Sequence, residues 1–131
     1  MIVLDASAAV DLVLNRPAAA SVRQRLALES GQLLAPHLID LEVAQVLRRF
    51  LLLGLIDDGR AKLAFADLSA LGLRRHAHDI LLPRVWELRA NATAYDAVYL
   101  ALAEATDAPL VTTDSKLASV PGTRATVEVM T

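Results

Sequence analysis

Residues 1–14 read MIVLDASAAVDLVL. Ile2, Val3 and Leu4 form a short apolar run of the kind that fills a buried strand, and Asp5 ends it. Small residues and a helical pattern follow, predicting a helix over Ser7–Leu14. A second strand meets an aspartate near the other end, where APLVTTDSKLA (108–118) carries Leu110–Thr112 into Asp114. Between them, short apolar runs alternate with helical stretches, which predicts an α/β protein with a parallel sheet. The predicted strands are Ile2–Leu4, Leu33–Ala35, Leu73–His76, Leu110–Thr112 and Thr126–Val129. The predicted helices are Ser7–Leu14, Ala18–Ser30, His37–Leu53, Gly59–Leu71, Asp79–Ala90 and Ala94–Thr106, with a short one at Ser115–Ala118. Gly31, Pro36, Gly54, Pro109 and Gly122 fall at the joints.

Open α/β sheets place ligands at the carboxyl ends of their strands. Asp5 and Asp114 sit at two such ends. In APHLIDLEVAQVLRR (35–49), Glu42 lies in the first turns of a helix that follows a strand. In NATAYDAVYLALAEA (91–105), Asp96 lies in the first turn of a helix whose apolar face reads Tyr95, Val98, Tyr99 and Leu102. All four acids are thereby expected at one edge of one sheet. Each has a plainer reading alone. Asp5 suits a helix N-cap, Thr93 and Asp96 suit a capping box, Glu42 suits a helix dipole, and Asp114 suits the cap of the short helix after it. None of these explains why four acids should gather at one edge.

Four carboxylates in one pocket repel, and a divalent cation removes that conflict. The chain has no cysteine, so thiolate-bound zinc is excluded. An all-oxygen donor set favours Mg²⁺ or Mn²⁺, which suits phosphodiester hydrolysis. The length of 131 residues and the 55% hydrophobic fraction predict one folded domain spanning 1–131. The absence of disulfides, of a signal-type leader and of an apolar run near the ~20 residues of a membrane span predicts a cytoplasmic protein. The net charge of −2 excludes a protein-wide basic field for nucleic acid.

The four blocks IVLDASAAVDLVL, APHLIDLEVAQVLRR, NATAYDAVYLALAEA and APLVTTDSKLA occur in an order that resembles the PIN-domain nucleases, and most closely the VapC-type toxins. Asn91, Tyr95, Asp96 and Ala103, followed by a strand ending in T-x-D, carry the resemblance most specifically. It implies an α/β/α sandwich and an Mg²⁺- or Mn²⁺-dependent endoribonuclease. It also implies a homodimer, and a VapB-type antitoxin as partner. Asp5, Glu42, Asp96 and Asp114 are the implied catalytic and metal-holding residues. Glu42 would complete the set or orient the attacking water. Ser7, Thr112 and Asn91 would fix carboxylate rotamers. RNA is the implied substrate, with tRNA and rRNA as candidates and unpaired segments preferred. Where many relatives carry Asn one turn after the glutamate, this chain carries Gln45.

Two readings from other classes stand beside this one. A phosphatase or phosphoryl-acceptor domain also places an aspartate after its first strand, but Ser7 stands where the phosphatase pattern wants a second one. A catalytically silent interaction module would keep the fold without turnover. Other residues receive plain expectations. Asp11 is solvated or paired with an arginine, and Asp40 competes for a site role. His76 and His78 are surface histidines, and Trp86 is a packing residue. Arg48, Arg49 and Lys116 are solvated. The leucines of RFLLLGLI (49–56), with the helices before them, are expected to form dimer or partner contacts.

Overall fold

The computed structural model describes residues 1–131. Five strands form one sheet in the order β3-β2-β1-β4-β5, every neighbouring pair parallel. They are β1 (Ile2–Leu4), β2 (Leu33–Pro36), β3 (Arg74–His76), β4 (Leu110–Thr112) and β5 (Val127–Val129). β1 lies at the centre, and Ile2, Val3 and Leu4 are fully buried. That matches a parallel strand covered on both faces, which needs no polar alternation. β3 is an edge strand, which explains why its polar sequence, Arg74-Arg75-His76, is tolerated.

Helices α1 (Ala6–Val13), α2 (Ala19–Ala27), α3 (Ile39–Leu52) and α4 (Asp58–Ala70) precede β3, while α5 (Leu82–Glu87) and α6 (Ala94–Thr106) follow it. α1 packs on α2, α3 and α4, whereas α6 packs on α5 and against β1, β2 and β4. The helices therefore sort into two layers around the sheet. Thirty-one buried residues join in one hydrophobic core. No helix is long and apolar enough to cross a membrane.

The expected single helix over Asp79–Ala90 is replaced by a 3-10 turn, Asp79–Leu81, and the short α5. Pro83 occupies the first turn of α5, where its missing N–H is harmless and its fixed φ starts a helix rather than continuing one.

The strand order has one consequence for function. The chain moves outward from β1 to β2 to β3, then crosses back to β4 on the other side of β1. The connections leaving β1 and β4 diverge, and such a switch point opens a crevice at the carboxyl edge. Asp5 and Asp114 follow these two strands.

Candidate active site

Asp5 is the centre of the site. Its backbone is extended and stands at the N-cap of α1, yet its side chain makes no capping hydrogen bond. Instead Oδ2 accepts the Ser7 hydroxyl at 2.6 Å and the Thr112 hydroxyl at 2.8 Å. The Thr113 N–H donates to Ser7 Oγ at 3.1 Å, and the Asp114 N–H donates to Thr112 Oγ1 at 3.0 Å. Each hydroxyl therefore accepts a hydrogen bond from the loop after β4 and donates its own to Asp5. Asp5 thus stands at the N-cap position, and its carboxylate joins α1, through Ser7, to β4, through Thr112.

Glu42 stands in the first turns of α3, and its Oε1 accepts the Tyr99 hydroxyl at 2.7 Å. Tyr99 is fully buried on α6. Asp96 lies in the first turn of α6, with its N–H bound to Thr93 Oγ1 at 3.1 Å. The Thr93 half of the expected capping box is present, and the Asp96 carboxylate lies half-buried at the same edge. Asp114 caps the 3-10 turn Ser115–Ser119 by accepting the Lys116 N–H at 3.0 Å. Asp5, Glu42, Asp96 and Asp114, with Ser7 and Gln45, line one open cleft of about 650 Å³.

The cleft works against its own charge. Burial pushes the Asp5 carboxyl above the ordinary 3.8, although Ser7, Thr112 and the Ala6 and Ser7 amides favour its ionised form. Burial also raises Glu42; the Tyr99 hydroxyl opposes this, while the charges of Asp5 and Asp96 add to it. Asp96 is raised by burial, then by Asp5 and Asp114, with Thr93 and Lys116 opposing. Three acids that disfavour one another's charge form a site short of cations. As the side chains stand, no three converge tightly enough to grip an ion between them. The arrangement suits a hard divalent ion that keeps several of its waters.

Several expectations fall away from the cleft. Asn91 touches none of the four acids; its side-chain amide donates to the Pro121 carbonyl at 3.3 Å. Asp40 is held by a bidentate pair with Arg75 at 2.6 and 2.8 Å, which ties α3 to the edge strand. Asp11 pairs with Arg16 at 3.2 Å. Trp86 is 67% exposed, with Arg89 over its ring at 4.7 Å, so it is not a core packing residue. Tyr95, read from the sequence on the apolar face, is 63% exposed. His76 is half-buried with Nε2 shut away from any partner, so it is not a plain surface residue, whereas His78 is exposed. Tyr99 is the contact that sequence reasoning missed. A tyrosine on a fully buried face needs a partner for its hydroxyl, and that need was its only signal.

A PIN-domain match covers residues 2–122. Ribonuclease VapC1 of Mycobacterium tuberculosis is 45% identical over 121 residues, spanning 92% of this chain and 90% of that protein. This chain belongs to the PIN-domain family, within its VapC group. VapC12 of M. tuberculosis is 38% identical over 130 residues, 99% of each chain. Among solved structures, the fold of this PIN domain is similar to M. tuberculosis VapC20, a sarcin–ricin-loop-cleaving toxin (TM-score 0.73, 15% identity, 94% of this chain and 96% of that one). It is also similar to a chain of a toxin–antitoxin complex from Klebsiella pneumoniae (TM-score 0.70, 19% identity, 98% and 97%). At these identities the structural likeness is one of fold alone.

The Tyr99–Glu42 contact gives a direct test. Tyr99→Phe removes one hydrogen bond from a buried ring and costs about 1 kcal/mol of stability. It also frees Glu42 to rotate, so RNA cleavage should fall roughly 10- to 100-fold, the range typical of groups that orient metal ligands. Chemical denaturation and initial cleavage rates measure the two effects separately.

Proposed function

We propose that this chain is the toxin of a type II toxin–antitoxin pair and acts as a Mg²⁺- or Mn²⁺-dependent endoribonuclease. The observation that carries the reading is the gathering of Asp5, Glu42, Asp96 and Asp114 in one cleft at the switch point of the sheet. The names of the VapC relatives support the reaction class. The toxin–antitoxin neighbours support a VapB-type partner. One sheet and one core support a single domain over 1–131, and an RNA substrate places its action in the cytoplasm in this reading.

Asp5, Glu42, Asp96 and Asp114 would hold the ion. When bound, a divalent ion polarises the phosphoryl oxygens and activates water. The rest is done by the chain. Ser7 and Thr112 hold the Asp5 carboxylate in one rotamer. Tyr99 holds the Glu42 carboxylate, whose free oxygen accepts the proton of an attacking water. Burial keeps bulk water from screening the Asp5 charge. A homodimer belongs to this reading. Leu52 and Leu53, 68% and 66% exposed near the end of α3, offer it or the antitoxin an apolar contact.

The test is incubation of the antitoxin-free protein with a structured RNA pool under Mg²⁺, Mn²⁺ or EDTA. Cleavage is expected with either metal and lost with EDTA. Mg²⁺ should also raise the melting temperature, as any ligand that binds only the folded state does. That shift should shrink sharply in Asp96→Asn. Metal-independent cutting, or an equal metal shift in the variant, would remove these acids from the reaction.

A further inference from the structure

A small apolar pocket of about 150 Å³ adjoins the acidic cleft and shares two wall residues with it, Leu38 and Tyr95. Val85 and Val98 form its buried side, while Leu82 and His78 stand at its exposed side. No carboxylate lines it. The two spaces are linked through both helices that carry the acids. On α3, Leu38 lies one turn before Glu42, whose N–H binds the Leu38 carbonyl at 3.1 Å. On α6, Tyr95 and Asp96 are consecutive, so the ring and the carboxylate leave the helix from adjacent residues.

Resting on the RNA-cleaving reading above, we propose that this pocket receives one unstacked nucleobase of the RNA, from a nucleotide beside the bond being cut. An apolar slot flanked by an exposed tyrosine is how single-stranded RNA is commonly held, because every base has a stacking face. Continuity with the cleft decides the occupant. A phosphate among the acids places the adjoining base within reach of Tyr95, and the missing negative charge leaves nothing there to repel the strand. Tyr95 is exposed because its partner is the substrate. Tyr95 is here a positioning residue: it fixes which bond faces the acids.

The test uses an RNA cut at one mapped bond, with an abasic residue placed in turn at each of the two flanking nucleotides. The wild type should lose roughly 5- to 150-fold in kcat/KM at one of the two positions, the span of one base stack. Tyr95→Ala, which removes the stacking face, and Ala94→Trp, which fills the pocket from an exposed position, should cut intact and abasic RNA at the same reduced rate. Independently of turnover, methyl resonances of Leu82, Val85 and Val98 in Asp96→Asn should shift when short single-stranded RNA is added. Normal metal-dependent cleavage with no abasic effect and no methyl shift would overturn the base pocket and leave the nuclease standing. Methyl shifts without cleavage by the wild type would leave the pocket standing and overturn the nuclease. Shifts that follow protein concentration and not RNA would assign the pocket to a second copy of this chain, and the proposal would fall.

Discussion

Asp5→Asn should abolish RNA cleavage and at the same time make the metal-free protein more stable. The loss should be on the order of 10³-fold or more, about 4 kcal/mol of barrier, because the central carboxylate of the cleft no longer carries charge. The gain follows from the same charge. Burial raises the Asp5 carboxyl above its ordinary 3.8, so the ionised form opposes folding. Below pH 3.8 the group is neutral in both folded and unfolded chains, and it costs nothing. As pH rises, the unfolded chain releases the proton first, and stability is lost until the folded-state value has been passed. The melting temperature of Asp5→Asn should therefore exceed that of the wild type by a margin that widens from acid toward neutral pH. Each kcal/mol of that margin amounts to about 3–5 °C in a chain of this size. Calorimetry in EDTA across that range measures it. A variant less stable than the wild type at neutral pH would show that the Ser7 and Thr112 hydrogen bonds outweigh the buried charge.

The second large effect lies far from the cleft. Arg84 on α5 makes a two-pronged pair with Glu104 on α6, with contacts at 2.8 and 2.9 Å, and also binds Glu87 and the Gly122 carbonyl. The Arg124 N–H donates to the same glutamate at 2.9 Å. The Glu104 side chain is only 7% exposed. Arg84→Ala leaves that carboxylate covered and without its cation. Breaking a fully buried pair costs about 3–5 kcal/mol; with Arg84 partly in solvent, about 2–3 kcal/mol is expected. Glu104 is held below the ordinary 4.5, first by Arg84. Its contribution is present above that value and disappears as pH falls through the lower folded-state value. Glu104→Gln should accordingly flatten the acid limb of the stability curve. Since neither residue touches the acids, cleavage per folded molecule should stay the same. Urea titrations at several pH values, paired with cleavage rates, separate the two.

What the sequence revealed followed from local chemistry. β1, β2 and β4 were legible because their apolar runs end at or just before an aspartate or proline, whereas the polar edge strand β3 carries no such signal. The four acids were legible because each stands where a strand ends or a helix starts, which in a parallel sheet is one edge. Contacts across the sheet were not legible. Nothing local shows that Tyr99 reaches Glu42, fifty-seven residues away, or that Asp40 belongs to Arg75. The role that the resemblance implied for Asn91 was not met, because the turn before α6 directs its amide to Pro121. Trp86 misled because large aromatic residues usually pack, and here the short helix α5 leaves it exposed.

The hydrogen bond between Asp5 and Thr112 spans 107 positions of the chain. On the ribosome, Asp5 is made 107 residues before the threonine that orders it. Until β4 has emerged and paired with β1, the hydroxyl that holds Asp5 is missing and Asp114 is not yet beside it. A site that cuts RNA thus stays incomplete until β4 has been made.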